Sequence, residues 1–292
     1  MATNSGPSMK FAIATSDGYQ RVLDAFLSAG WQLEKLFVSS GDWLNDNKQV
    51  IASALELGVD VQHSPVTSRD LADLGRRDCL ALVVASYRWK IPEWSPNLKY
   101  AVNFHPSPLP EGRGPYPLVR AIFEERPSWA VSCHRINNKF DQGDILDAEN
   151  FPLNPDECHE SLILKAQMAA ARLAERVARN FEPLWKAAIP QGVGSYWPRW
   201  PEDAHIVDFA RPVAAIMRQI RAFGDLECVA TINDVKIFVH RAKAWVEPHS
   251  ARPGAVVHSS NLALVIAAAD GLVAITEWSF SAPGTTMANL RR

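Results

Sequence analysis

Cysteine is scarce and scattered. The four present, Cys79, Cys133, Cys158 and Cys228, form no C-x-x-C pair. Neither a zinc knuckle nor a redox dithiol is therefore expected, and buried free thiols in a reducing compartment are the reading that remains. An excess of charge of either sign is also missing. With 30 Lys and Arg against 32 Asp and Glu, the net charge is −2, which removes any whole-chain electrostatic reason to bind nucleic acid or an acidic membrane tightly. No apolar run approaches the roughly 20 residues that cross a bilayer. The opening MATNSGPSMK lacks the apolar core of a signal peptide, so a cytoplasmic protein without a membrane partner is expected. Internal repeats and low-complexity tracts are absent too.

What is present is an ordinary globular composition. Of 292 residues, 47% are hydrophobic and 21% charged, enough for a sizeable core and for two domains rather than one. The ten tryptophans fall mostly in segments that read as core or linker.

The first third alternates. Lys10–Thr15 is a short apolar run, and YQRVLDAFLSAGW after it carries Val22, Leu23, Phe26 and Leu27 at helical spacing. LEKLFVSS then reads as strand, LNDNKQVIASALEL as a helix ended by Gly58, VDVQHS as strand, and SRDLADLGRR as a helix capped by Ser68. Such alternation predicts an α/β fold: a Rossmann-like open, mostly parallel sheet covered on both faces. CLALVVAS at 79–86 and YAVNFH at 100–105 are apolar enough to be its central strands. Both run into loops dense in proline, glycine and polar residues. Ligands of open parallel sheets collect at the carboxyl ends of strands, so these loops are the first places to look for a site.

After Pro115, YPLVRAIFEE reads as helix, WAVSCHRINN and GDILDAENFPL as strands, and about Glu157 to Phe181 as one long helix begun by Asn154-Pro155-Asp156. PQGVGSYWPRWPED, loaded with Pro, Gly and Trp, has no period and reads as a linker that packs on something. Beyond it come one helix, RPVAAIMRQIRAFG, and the short runs CVATI, VKIFVHRAKAWV, GAVVHSS, LALVIAAAD and LVAITEWSF. These predict a smaller β-rich, OB-like barrel domain. The expected division is a catalytic domain over 1–189, a linker over 190–206 and the β-rich domain over 207–292.

The densest chemistry lies in NFHPSPLPEGRG, residues 103–114. Asn103 and His105 are two apart on a strand end, so their side chains share a face. An amide donor beside an imidazole can polarise a carbonyl and hold the oxyanion it becomes. The proline-rich loop after them is a rigid platform for a ligand. A second cluster, Phe140-Asp141-Gln142-Gly143-Asp144-Ile145, reads equally as a hairpin turn or as a carboxylate aimed at His105 to fix its tautomer. A third, ASYRWKIP at 85–92, reads on its own as a strand-to-helix loop.

In this order and at these spacings the three clusters resemble the folate-dependent formyltransferases. That superfamily includes methionyl-tRNA formyltransferases, glycinamide ribonucleotide formyltransferases, sugar-nucleotide N-formyltransferases and hydroxyornithine formyltransferases. The signature of its tRNA and sugar branches, Asn-x-His-x-Ser-Leu-Leu-Pro-x-x-Arg-Gly, is matched as NFHPSPLPEGRG with Pro108 at the first of the two leucines, its Leu-Asp-x-Gly turn as FDQGD, and its VVAAYGLILP segment as VVASYRWKIP. SYWPRWPEDAHIVDF and IMRQIRAFG, with Asp208 and Ile220 to Phe223, are similar to its linker and its carboxyl-terminal domain's first helix, so the resemblance spans nearly the whole chain.

The resemblance implies 10-formyltetrahydrofolate as formyl donor and no metal. It implies Asn103, His105 and Asp141 as the catalytic triad. Around the folate it implies Ser86, Tyr87, Arg88, Ile91, Ser107, Pro108, Leu109, Pro110, Phe140 and Asp144, and around the acceptor Arg113, Gly114 and Pro115. Asn103 would hold the developing oxyanion with His105, and Asp141 would orient His105 and pass a proton through water from the amine to the leaving nitrogen. The superfamily also holds formyl-folate hydrolases, and a catalytically inactive folate-binding relative is the non-enzyme alternative. Its oligomers vary, and a homodimer is among the states it allows.

The acceptor is where this chain departs. The initiator-tRNA branch carries Arg-Trp-Arg-Gly where Glu111-Gly112-Arg113-Gly114 stand here, and the stretch from Gly112 to Glu125 offers only Arg113 and Arg120 as cations. A phosphate-rich partner calls for more. Lys236, His240, Arg241 and Lys243 read first as solvated surface charge, with a nucleic-acid contact as the alternative. A small-molecule amine, an amino-sugar nucleotide or a hydroxyornithine-like siderophore precursor, is the expected acceptor class, and tRNA the less favoured one.

Overall fold

Residues 9–39, 47–224 and 228–280 are described by a computed structural model of the chain. The end of the expected second strand at Ser40 and the start of the expected second helix at 44–46 lie outside them. The chain divides into two compact units: Met1–Gly114 with Ser128–Phe151 and Lys165–Trp197, and Pro115–Pro127 with Pro152–Leu164 and Pro198–Arg292.

The first unit is built on a seven-stranded sheet of order β3-β2-β1-β4-β5-β6-β7. Its strands are β1 (Lys10–Ala14), β2 (Gln32–Phe37), β3 (Val61–Gln62), β4 (Ala81–Ala85), β5 (Tyr100–His105), β6 (Ser128–Arg135) and β7 (Ile145–Pro152). β3, β2, β1, β4 and β5 run parallel, and β6 pairs antiparallel with β5. The fold is the expected Rossmann-like one. Every residue of β4 is buried, as the unbroken apolar run requires of a central strand.

Helices α1 (Gln20–Ser28), α2 (Lys48–Glu56) and α3 (Ser68–Arg76) form where the apolar residues fall on one stripe; in α1 these are Val22, Leu23, Ala25 and Phe26. Phe26 meets Phe11, Trp31 and Phe104, and Trp31 packs on Phe181, so one aromatic cluster joins helices to sheet.

The start of α3 corrects one expectation. Its cap is Thr67, not Ser68: the Thr67 side chain accepts from the Asp70 N–H, and Asp70 reaches back to the Thr67 N–H. Ser68 is the first helical residue. The carboxylate three positions on selects Thr67, because only that spacing closes a reciprocal capping box. Thr67→Ala is expected to lower unfolding stability by about 1 kcal/mol, read as a lower urea midpoint at unchanged slope.

The long helix expected from Glu157 to Phe181 is instead α5 (His159–Arg179) followed by α6 (Phe181–Lys186). Pro183 explains the break: it has no N–H for the carbonyl of Arg179, and it fits only the first turn of a new helix. Between α3 and α5 lies α4 (Pro117–Phe123).

In the second unit, α4 packs on α7 (Val213–Phe223), with Phe123 against Phe223 and Trp200. The rest is a five-stranded antiparallel sheet of order β10-β11-β12-β9-β8, formed by β8 (Val229–Ile232), β9 (Val235–Val246), β10 (Val256–Ser259), β11 (Leu264–Ala267) and β12 (Gly271–Ser279). Among the described residues no helix is long and apolar enough to cross a membrane.

Candidate functional site

The site lies at the carboxyl end of β5, where Asn103 and His105 point to one face. His105 is 7% exposed. Its Nε2 is 2.9 Å from the Gly112 carbonyl. A carbonyl only accepts, so Nε2 carries the proton and Nδ1 of the neutral ring is left as a base. That Nδ1 is 3.7 Å from Asp141 Oδ1, beyond hydrogen-bonding distance. The tautomer that the sequence assigns to Asp141 is thus set by a backbone carbonyl seven residues along the chain. Gly112 can offer that carbonyl because its backbone lies at φ +73°, and a Cβ there would meet Ser107 and the Trp197 ring.

Asp141 comes from the turn between β6 and β7. It is a non-glycine residue at φ +55°, a strained conformation held by its bonds. Its Oδ2 accepts the Gly114 N–H at 2.9 Å, and its Oδ1 is 3.4 Å from Asn103 Nδ2. Burial alone would raise this carboxyl, but the neighbouring His105 and His134 and the Gly114 N–H hold it well below the usual carboxylate range. Burial pushes the His105 imidazole down from its ordinary value, while the Asp141 charge and the Gly112 bond pull it back up. At neutral pH the pair is an ionised carboxylate beside a neutral, buried imidazole. Such a pair can take a proton at Nδ1 and stabilise the cation that results.

Two contributors escape the sequence reading. His134 on β6 is buried; its Nδ1 donates to the Arg135 carbonyl at 2.7 Å, so its Nε2 accepts from Asn103 Nδ2 at 3.2 Å. In sequence it is one more residue of a buried strand. The other is the segment 189–197, which from Pro190 onward reads as linker. Ile189 pairs with Ile145, the Ser195 Oγ accepts the Gly112 N–H at 3.0 Å, Arg113 and Tyr196 form a bridge, and Trp197 stacks on Trp129. No periodicity marks such a segment, since its bonds run from side chains to distant backbone.

A family profile described as "Formyl transferase, C-terminal domain" matches residues 201–288. A methionyl-tRNA formyltransferase of Coprothermobacter proteolyticus is 32% identical over 161 residues, 53% of each chain. Residues 201–288 thus match that carboxyl-terminal domain, and about half of the chain is similar in sequence to a methionyl-tRNA formyltransferase. This alignment spans about half the length of the curated relative. The solved structures agree in fold. An N-formyltransferase from Helicobacter canadensis, in complex with folinic acid and dTDP-3-aminofucose, superimposes with a TM-score of 0.69 at 17% identity over 93% of this chain and all of that one. HypX from Aquifex aeolicus reaches a TM-score of 0.70 at 17% identity, over 93% of this chain and 44% of its own.

The other residues that the superfamily resemblance singled out are distributed as follows. A cleft of 740 Å³ lies between the loop after β4 and the β6–β7 turn, lined by Ile91, Trp94, Ile136, Lys90 and Asn137 among others. Trp94 Nε1 donates to the Ile136 carbonyl and ties its two walls. Lys90 stands over the Phe140 ring, which is 55% exposed. Tyr87 accepts the Val66 N–H through its hydroxyl, Arg88 stacks on Trp89, and Ser86 turns the chain at φ +61°. In the proline-rich loop, Ser107 is fully buried and its carbonyl accepts the Ser132 hydroxyl, the Leu109 N–H bonds Ser132 Oγ, and Pro108 and Pro110 are partly exposed.

Asp144 is paired with Arg135 at 2.8 Å. Arg113 is 9% exposed, with its guanidinium on Gln191 and the Gly192 carbonyl. Gly114 bonds Asp141, and Pro115, exposed, falls in the second unit. Among the described residues no His, Cys, Asp or Glu group is arranged to hold a metal ion.

Proposed function

We propose that this chain transfers a formyl group from 10-formyltetrahydrofolate to the amine of a small molecule. The observation that carries the reading is the grouping of Asn103, a neutral buried His105 and an ionised Asp141 at the carboxyl end of a central strand in a formyltransferase-superfamily fold.

In this reading the formyl oxygen competes with Asp141 for the Asn103 Nδ2 hydrogen, the longer and weaker of that amide's two bonds, as negative charge collects on it. His105 Nδ1 takes the proton released by the attacking amine, and the Asp141 carboxylate stabilises the imidazolium. The same proton returns to the leaving nitrogen, so His105 ends the cycle neutral. The cleft beside Ile91 and Trp94 has the volume for a flat heterocycle, with apolar Val66, Ile91, Trp94 and Ile136 for its rings and Lys90, Glu93 and Asn137 for its polar edge. Ser86, Tyr87, Arg88, Phe140 and Asp144 belong to the two loops that border it.

For the acceptor, Glu111 and Gly112 leave the loop short of cations, which supports a small amine such as an amino-sugar nucleotide or a hydroxyornithine-like siderophore precursor. The name of the Coprothermobacter relative favours a second reading, methionyl-tRNA as acceptor. A panel of amino-sugar nucleotides, N-hydroxyornithine and initiator methionyl-tRNA, assayed with the folate donor, separates the two. Formylation of a small amine is expected; formylation of methionyl-tRNA alone would overturn the small-amine assignment.

A further inference from the structure

Asp141 holds a left-handed backbone, which aspartate tolerates better than most residues with a Cβ but which still costs free energy. Its own side-chain bonds are not the only restraint. The turn is gripped from outside by Gln191, 50 residues along the chain. Gln191 Nε2 donates to the Asp141 carbonyl at 2.9 Å and to the Gly143 carbonyl at 2.7 Å, and its Oε1 accepts from Arg113 Nε at 3.0 Å. Carbonyls only accept and a guanidinium only donates, so the partners fix which way the amide faces.

The turn is also closed on its far side, because a Cβ on Gly143 would collide with the Arg135 carbonyl. Gln191 is itself held at both ends of its segment: Ile189 exchanges backbone bonds with Ile145, and Ser195 bonds Pro110, Gly112 and Arg113. One side chain thus links the turn that aims the Asp141 carboxylate to the loop that offers His105 its carbonyl at Gly112 and Asp141 its N–H at Gly114.

We propose that Gln191 is a positioning residue for formyl transfer, acting through the backbone of Asp141 to set where the carboxylate meets His105. This rests on the formyl-transfer reading of the site. Gln191→Leu keeps the size and removes all three bonds, while Gln191→Glu keeps the acceptor toward Arg113 and loses both donors. Each is expected to lower kcat about 30-fold while KM for donor and amine stays within about twofold, as for a misplaced but intact group. In an Asp141→Asn background Gln191→Leu is expected to add less than about twofold, because both changes act through one group; a residue that merely stabilises the fold lowers turnover equally in both backgrounds.

A second readout needs no turnover. The carboxyl carbon of Asp141, followed by NMR against pH in the full-length chain, is expected to titrate at higher pH in both Gln191 variants than in the parent, as its contact with His105 and its Gly114 bond loosen. A parent chain that moves no formyl group contradicts the functional reading, and the titration alone then decides the clamp. An Asp141 titration unchanged in both variants overturns the proposal.

Discussion

Asp141→Asn is expected to lower formyl transfer by about 10³-fold with little change in fold, because it removes a charge and almost no volume. The carboxylate accepts the Gly114 N–H through Oδ2, and through Oδ1 it faces Asn103, His105 and His134 together. An amide keeps one acceptor. It presents an NH₂ group either to the Gly114 N–H or to Asn103, so one donor meets another. The negative charge that makes protonation of a buried His105 affordable is gone in either case. The pH profile carries a second signature. With His105 as base, activity falls as pH drops through its pKa, and burial places that limb below the ordinary value of 6.5. Asp141 raises the pKa of His105, so its loss moves the acid limb to still lower pH. Stopped-flow turnover across pH 4.5–8.5 measures both, and an acid limb that stays in place in Asp141→Asn would remove the carboxylate from the account.

His105→Ala is the other large effect, expected at about 10²–10⁴-fold on kcat. It deletes the Nδ1 base and leaves the Gly112 carbonyl without its donor. His105→Gln separates the two losses: it is able to restore a hydrogen bond to Gly112 but cannot take up the amine's proton. It is expected to recover thermal stability lost in His105→Ala without recovering turnover, read by unfolding midpoint and steady-state rate. Recovery of turnover in His105→Gln would make His105 a scaffold rather than a base.

The parts of this protein that sequence makes legible are those where one physical signal dominates. β4 and β5 stand out because a strand buried on both faces has to be apolar throughout, and Asn103 and His105 follow because residues two apart on a strand share a face. Where two signals compete, the wrong residue is chosen. Thr67 and Ser68 are both good caps, and only the reciprocal bond with Asp70 decides for Thr67. Phe181 continues the helical period, yet Pro183 ends the continuity.

Other contributions leave no local trace. His134 alternates inward like any core residue, and its importance lies in the Asn103 amide beside it. Gln191 sits in a stretch that reads as linker, and its three bonds reach residues that only the folded chain brings near. Long-range bonds from side chain to backbone have no sequence period, which is why such a clamp appears only in three dimensions.

The central claim is that a formyl group leaves the folate and arrives on an amine. It is tested most directly by supplying 10-formyltetrahydrofolate with a ¹³C-labelled formyl carbon, together with the amine panel, and following the label by mass spectrometry. Label is expected in a formylated amine in amounts equal to the tetrahydrofolate formed, with both lost in His105→Ala. Label recovered only as formate, or retained entirely on the folate, would contradict it.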